Sequence, residues 1–272
     1  MGPKAYKFAE FLAEAEATYW QVLPLGHTAP EYDDSPYSAL SMLAGNPPLI
    51  SLDKAARDGL LTRTPPRCQA TDRADYEAAW RIKTRYLEAA FEERRNWRDF
   101  EEFAARNSWW LEPYGRYVAL REAYGATWTR WPKELRGAHL PEKLGRRALF
   151  YQYVQYVFWS QWLDLKRHVN NLGIFIIGDL PIYPAHDSVD VWEGRRYFKL
   201  APDGTPLYLS GVPPDYFSPT GQLWGTPVYD WGAMRQDRYA WWARRLRRLL
   251  EVFDYIRLDH FRGYAAYWEV PY

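Results

Sequence analysis

The stretch IRLDHFRG, residues 256–263, sets Asp259 between Arg257 and His260, with Arg262 close behind. On a strand, residues i and i+2 share a face, roughly 6.6 Å apart. Arg257 and Asp259 therefore point the same way. A guanidinium beside a carboxylate favours its charged form. An ionised carboxylate aimed into a pocket is what a carboxylate nucleophile requires. The competing reading is a structural ion pair. A second acid, Asp179 in IIGDLP, also stands where an apolar run ends. Parallel α/β folds build their sites at the C-terminal ends of strands, so both acids fall where a site forms. The plainer alternative for each is a turn or a helix cap.

Other chemistries find little support. The five histidines (27, 139, 168, 186 and 260) show no HExxH spacing, so no zinc site is implied. Neither common glycine-rich phosphate loop is present, nor a G-x-S-x-G elbow. No cofactor is expected. The 272 residues carry 35 Lys+Arg against 34 Asp+Glu, a formal net charge of +1, which leaves no electrostatic footprint for nucleic acid or an anionic membrane. The arginine pairs 94–95, 146–147, 244–245 and 247–248 read as solvated helix faces. Cys68 is the single cysteine, so no internal disulfide can form. The first residues lack the apolar core of a signal peptide, and no apolar run reaches the ~20 residues of a membrane span. The expectation is a soluble, cytoplasmic protein.

The unusual quantity is aromatic content: 15 Trp, 22 Tyr and 12 Phe. Part of it must be core. Aromatic faces are also flat apolar platforms with polar edges, suited to sugar rings.

The elements that must position these residues follow from periodicity. Residues 4–17 predict a helix with a stripe of Phe8, Phe11, Leu12 and Ala15. YWQVLPL (19–25) predicts a buried strand, followed by a turn-rich loop to about Pro48. Residues 51–150 are helical in pattern, as in 75–95 and 96–112, and read as an insertion. Then come a helix over 151–173 stopped at Gly173, a strand over 174–183, a helix over 236–253 and a strand over 254–261. Apolar strands alternating with helices argue a parallel sheet covered on its faces. Three loops, 32–47, 185–192 and 210–231, are expected to cover the strand ends.

Together WQVLPLG, DSPY, AGNP, IIGDLPIY, GVPPDYFSPTGQLWG and RLDHFRGYAAYWEVP resemble the amylomaltases, the 4-α-glucanotransferases of glycoside hydrolase family 77, along nearly the whole chain. The resemblance implies an α/β fold, a (β/α)8 TIM barrel of the α-amylase type with helical insertions. It also implies transfer of α-1,4-glucan segments by a retaining double displacement, with maltooligosaccharides or starch- and glycogen-type glucans as partners. Asp259 matches the family nucleophile, Arg257 the arginine that keeps it ionised, and His260 the histidine on the acceptor side. Asp179 matches a substrate-binding acid. Tyr37 matches the tyrosine of the donor-sugar subsite and Tyr32 one linked to glucan binding nearby. Asp215, Tyr216, Phe217 and Trp224 match a flexible substrate-covering loop. Ser38 stands where the family has Gln, and GTP (225–227) where it has GNP, departures that bear on acceptor preference.

The family's acid/base lies in an E-D-L-G motif, its transition-state-stabilising acid in H-D-N, and its first strand in H-P-T-S-L-P. None occurs in these residues, and Glu269 matches a position not used as acid/base. The expectation is a fragment truncated at both ends. It holds about strands 2–4, with the barrel start in 1–50, a helical subdomain in 51–150 and strands 3–4 with the long loop in 151–272. Alone it is expected to be inactive and marginally stable. The alternatives are a non-catalytic glucan-binding protein and an α-amylase-clan hydrolase.

Overall fold

The computed structural model describes residues 1–62, 65, 73–125, 127–137, 139–216 and 218–272. Cys68 and Phe217 lie outside the described residues.

Helix α1 (Pro3–Glu14) leads into strand β1 (Tyr19–Gln21). Strand β2 (Phe175–Leu180) and strand β5 (Tyr255–Leu258) complete a three-stranded parallel sheet in the order β1-β2-β5. Both connections are long and helical, as parallel pairing demands. Three helices occupy the first: α2 (Leu52–Arg57), α3 (Tyr76–Glu92) and α4 (Trp97–Tyr124). Helix α5 (Glu142–Asn171) closes it. The second holds α6 (Val189–Glu193), strands β3 (Tyr208–Val212) and β4 (Gln222–Pro227), then α7 (Trp231–Gln236) and α8 (Ala240–Val252).

The two faces of the parallel sheet differ. Ile176 and Leu180 turn inward and are buried, as are Phe253 and Val252 behind them. Tyr19, Phe175 and Tyr255 occupy the opposite face and are 52%, 41% and 47% exposed. Their rings meet edge to face, with Tyr19 5.6 Å and Phe175 5.9 Å from Tyr255. The uniformly buried strands expected from the sequence are thus buried on one side only.

Helix α5 is the backbone of the core. It buries fourteen residues, and two of them are glutamines with no exposure. Gln155 accepts from the Gly45 N–H at 2.7 Å and donates to its carbonyl at 2.8 Å. Gln161 does the same for Ser51, at 2.8 and 2.9 Å. A side-chain amide thus completes the backbone pairing that a buried loop lacks, because unpaired buried polar groups are costly. These two clamps fix the far end of loop 26–48. Its near end closes on itself through an antiparallel bridge between Gly26 and Gly45.

Several expectations change in detail. In α1 the predicted stripe meets the core only in part: Leu12 packs against it, but Phe8 and Phe11 are 45% and 59% exposed, and Ala9 is the buried residue. Helix α4 continues past residue 112 through Pro113 to Tyr124. The helix expected over 236–253 starts only at Ala240, because Arg238 and Tyr239 both take φ 57°, the left-handed region. The pairs 244–245 and 247–248 are not wholly solvated. Arg245 and Arg248 share the inner face of α8 with Trp242 and Leu249. Arg245 donates to the Ile182 carbonyl at 3.3 Å, and Arg248 stacks over Trp159 at 4.7 Å. A guanidinium is weakly hydrated enough to be buried on aromatic rings.

The third predicted loop, 210–231, contains structure the sequence did not announce. Strands β3 and β4 pair as an antiparallel hairpin, and β6 (Trp268–Pro271) pairs with the other edge of β3. The proline- and glycine-rich composition hides these short strands.

Candidate active site

Arg257 lies opposite Asp179 in the register of β2 and β5, and Asp259 follows two residues later on the same face. The arginine joins the two acids. Its Nη1 donates to both Asp179 carboxylate oxygens, at 2.9 and 2.8 Å, and its Nη2 donates to Asp259 Oδ1 at 2.7 Å. The i, i+2 argument for Arg257 and Asp259 therefore holds as a contact. Planar guanidinium suits this because its donors fork in fixed directions. The two carboxylates raise the Arg257 pKa further, Asp179 more than Asp259.

The two acids are not equivalent. The Asp179 side chain is 1% exposed and that of Asp259 31%. Asp179 also accepts from the Tyr37 hydroxyl at 2.8 Å. Desolvation first, then this hydrogen bond and the charge of Asp179, push the Tyr37 pKa up to about 12. Tyr37 thus stays a donor at physiological pH. Asp179 is thus committed to Arg257 and Tyr37, while Asp259 is bonded to the arginine through Oδ1 and stays partly exposed.

On the other side, His260 takes φ 45° and turns its ring against Trp224 of β4, centroids 4.9 Å apart and nearly perpendicular. Trp224 reaches this place because β6 holds the hairpin by its edge. It also faces Tyr183 at 6.3 Å and is 37% exposed. The structure therefore brings together Tyr37, Asp179, Trp224, Arg257, Asp259 and His260.

The remaining predicted residues lie apart from that row. Asp215 closes its own turn by accepting from the Ser218 N–H at 2.8 Å, and Tyr216 beside it is 95% exposed at the hairpin tip. Tyr32 stands near Asp187 and Arg121, and desolvation raises its hydroxyl pKa.

The sequence reading missed what holds the loops. Segment 185–192 is not an exposed cover: Asp187, Ser188, Val191 and Trp192 are all buried. Asp187 ion-pairs with Arg121 and accepts from the Tyr117 hydroxyl at 3.1 Å and the Thr127 and Trp128 N–H groups at 2.7 and 2.9 Å. Asp190 accepts from the Met42 N–H at 2.8 Å, and the Val189 N–H donates to the Leu40 carbonyl at 2.9 Å. This segment ties the Tyr37 loop and the helical layer to the end of β2. The available signal was two acids spaced three apart in an otherwise apolar run. No group of three metal-ligating side chains occurs among the described residues.

Two acids held by one guanidinium above the C-terminal ends of parallel strands define an α/β protein with a candidate site at the strand ends. The chain belongs to glycoside hydrolase family 77, the 4-alpha-glucanotransferase family, whose model matches residues 1–272. It is 42% identical over 278 residues to 4-alpha-glucanotransferase of Aquifex aeolicus, covering all of this chain and 57% of that protein. With the enzyme of Thermus thermophilus it is 42% identical over 284 residues, covering all of this chain and 56% of that one. Amylomaltase from Streptococcus agalactiae, solved in complex with acarbose, superposes with a TM-score of 0.87 at 33% identity, over 99% of this chain and 57% of that one. The chain thus spans little more than half the length of these relatives.

Proposed function

We propose that the chain supplies the nucleophile half of a 4-α-glucanotransferase acting on maltooligosaccharides or on starch- and glycogen-type glucans. Asp259 attacks the anomeric carbon of a donor glucose, and the bond to the leaving O4 breaks as the covalent ester forms. An acceptor hydroxyl then attacks the same carbon, gives its proton to the group that protonated the leaving oxygen, and releases the carboxylate, so the configuration is retained. Arg257 aims Asp259. Tyr37 and Asp179 line the donor sugar and His260 the acceptor side, Tyr32 binds glucan nearby, and Asp215, Tyr216, Phe217 and Trp224 belong to the loop that covers the substrate. The observation that carries this reading is the single guanidinium bonded to both acids beside the open face of the sheet.

The leaving oxygen needs a proton from a second carboxylate about 5–5.5 Å from the nucleophile. Asp179 is committed to Arg257 and Tyr37. Glu269 is paired with Lys199 at 2.6 and 2.9 Å. We assign the proton donor to a part of the whole protein outside these residues. The exposed aromatic face of β1, β2 and β5 supports placing them as strands 2–4 of a (β/α)8 barrel, whose interior such a face lines. In that frame residues 1–50 begin the barrel, 51–150 form the helical subdomain and 151–272 carry the next strands and the covering hairpin. A cytoplasmic location belongs to the same reading, and no helix among the described residues is long and apolar enough to cross a membrane.

The test is product analysis with maltotriose. The protein expressed from its whole reading frame should yield glucose plus longer maltooligosaccharides. Asp259→Asn should lower that rate by at least about 10³-fold, since the covalent route is lost. Glucose without longer chains would replace transfer by hydrolysis, and binding without turnover would leave only a glucan-binding protein.

A further inference from the structure

A second concave site lies away from Asp259. A cavity of about 290 Å³ opens between α4, α6 and the start of α8, and none of Tyr37, Asp179, Arg257 and Asp259 lines it. Its walls include Trp109 of α4 and Trp241 of α8; Trp109 is 43% exposed. Trp241 is held in place by the rings of Tyr229 at 5.8 Å and Trp242 at 5.4 Å. Asp190 and Arg245 also line it, and Glu193 and Arg244 stand at its exposed rim. Arg245 is 2% exposed, and its Nε–H has no hydrogen-bond partner among the described residues. That nitrogen exposes no surface to the cavity, and the same guanidinium lies 5.5 Å from the Trp241 ring centre, so Arg245 backs the indole wall.

Two indole rings, a carboxylate and an exposed guanidinium, that of Arg244, are a recognition set for a pyranose. The ring C–H face lies on an indole, and hydroxyls bridge the acid and the guanidinium. Arg244 is 5.9 Å from the Trp109 ring centre, within reach of a hydroxyl held there. The volume sits at the lower end for small-molecule sites and takes about one or two sugar rings. We infer that this cavity is an accessory glucan-binding site, built from Trp109, Trp241, Asp190 and Arg244, which anchors a chain outside the Asp259 site. The inference rests on the glucan-transfer reading for its ligand class.

The experiment uses the whole protein carrying Asp259→Asn, so that sugar binds without turnover, and measures maltotriose binding by calorimetry. Adding Trp109→Ala should lower the binding capacity by one molecule per chain. Unchanged capacity and affinities would overturn the inference. Should Trp109→Ala melt early, Arg244→Ala alters only an exposed side chain. It should weaken one of the sites about tenfold, the size of a lost hydrogen bond to a charged group, and unaltered affinities would again count against the site. The two readings separate cleanly. A wild-type protein that makes no longer chains from maltotriose sinks the transferase assignment, while the Trp109-dependent site is scored by binding alone.

Discussion

At the scale of single residues, the site depends on one side chain doing two jobs. Arg257 holds a buried acid with one terminal nitrogen and the exposed acid with the other. An ammonium has the charge but not the fork. Arg257→Lys should therefore keep the fold and lower the maltotriose transfer rate of the whole protein on the order of 10²-fold, comparable to the loss of one preorganised donor. A rate within twofold of the parent would show that charge alone suffices. Asp190 offers a separate residue-scale test. Desolvation pushes its carboxyl pKa up to about 6 from 3.8 despite the Met42 N–H bond and the Arg245 charge. The folded state then takes up this proton before the unfolded chain does. Its contribution to stability is present below about pH 4 and is lost as pH rises through about 6. Asp190→Asn keeps an oxygen for the Met42 N–H and has no charge to desolvate. The melting temperature of the variant relative to the parent should rise between about pH 4.5 and pH 7. A difference that does not vary with pH would refute the assignment.

At the scale of elements, the strands are placed by close approach as much as by hydrogen bonding. Gly178 sits in the middle of β2, and a Cβ there would come within 2.3–2.6 Å of the Phe253 ring. That ring cannot retreat, because it is 3% exposed and packs edge-on to Trp162 at 5.6 Å. Gly178→Ala should cost about 1–3 kcal/mol by overpacking and lower the melting temperature measurably. An unchanged melting temperature would mean the α5–sheet packing is looser than it looks. The hairpin of β3 and β4 makes the same point for the site. Its tip was legible as a covering loop from its turn residues. Its strands were not, because they are short, rich in glycine and proline, and stabilised by β6, more than forty residues further along the chain.

At the scale of the molecule, one continuous buried cluster runs from Ala9 through the helices of 51–150 to Phe253. The segments read as separate in composition therefore share a single core. What faces away from that core is the aromatic side of the sheet, where the rings of Tyr19 and Phe175 meet that of Tyr255 edge to face. A parallel sheet ordinarily has both faces covered, and among the described residues the helical layer covers the other face while Tyr19, Phe175 and Tyr255 stay about half exposed on this one.

Legible in the residues alone were the order of helices and parallel strands, the placing of Asp179 and Asp259 at strand ends, and the shared face of Arg257 and Asp259. Those follow from periodicities of two and 3.6 residues, which are local. Only the tertiary structure decided that Arg257 reaches both acids, that Tyr37 locks the buried one, and that Trp224 lies against His260. It also decided that Gln155, Gln161, Asp187 and Asp190 pin the loops and that Arg245 is buried. Each of these is a pairing between residues far apart in the chain. No local pattern encodes such a pairing, because its partner is chosen by the packing of the elements between.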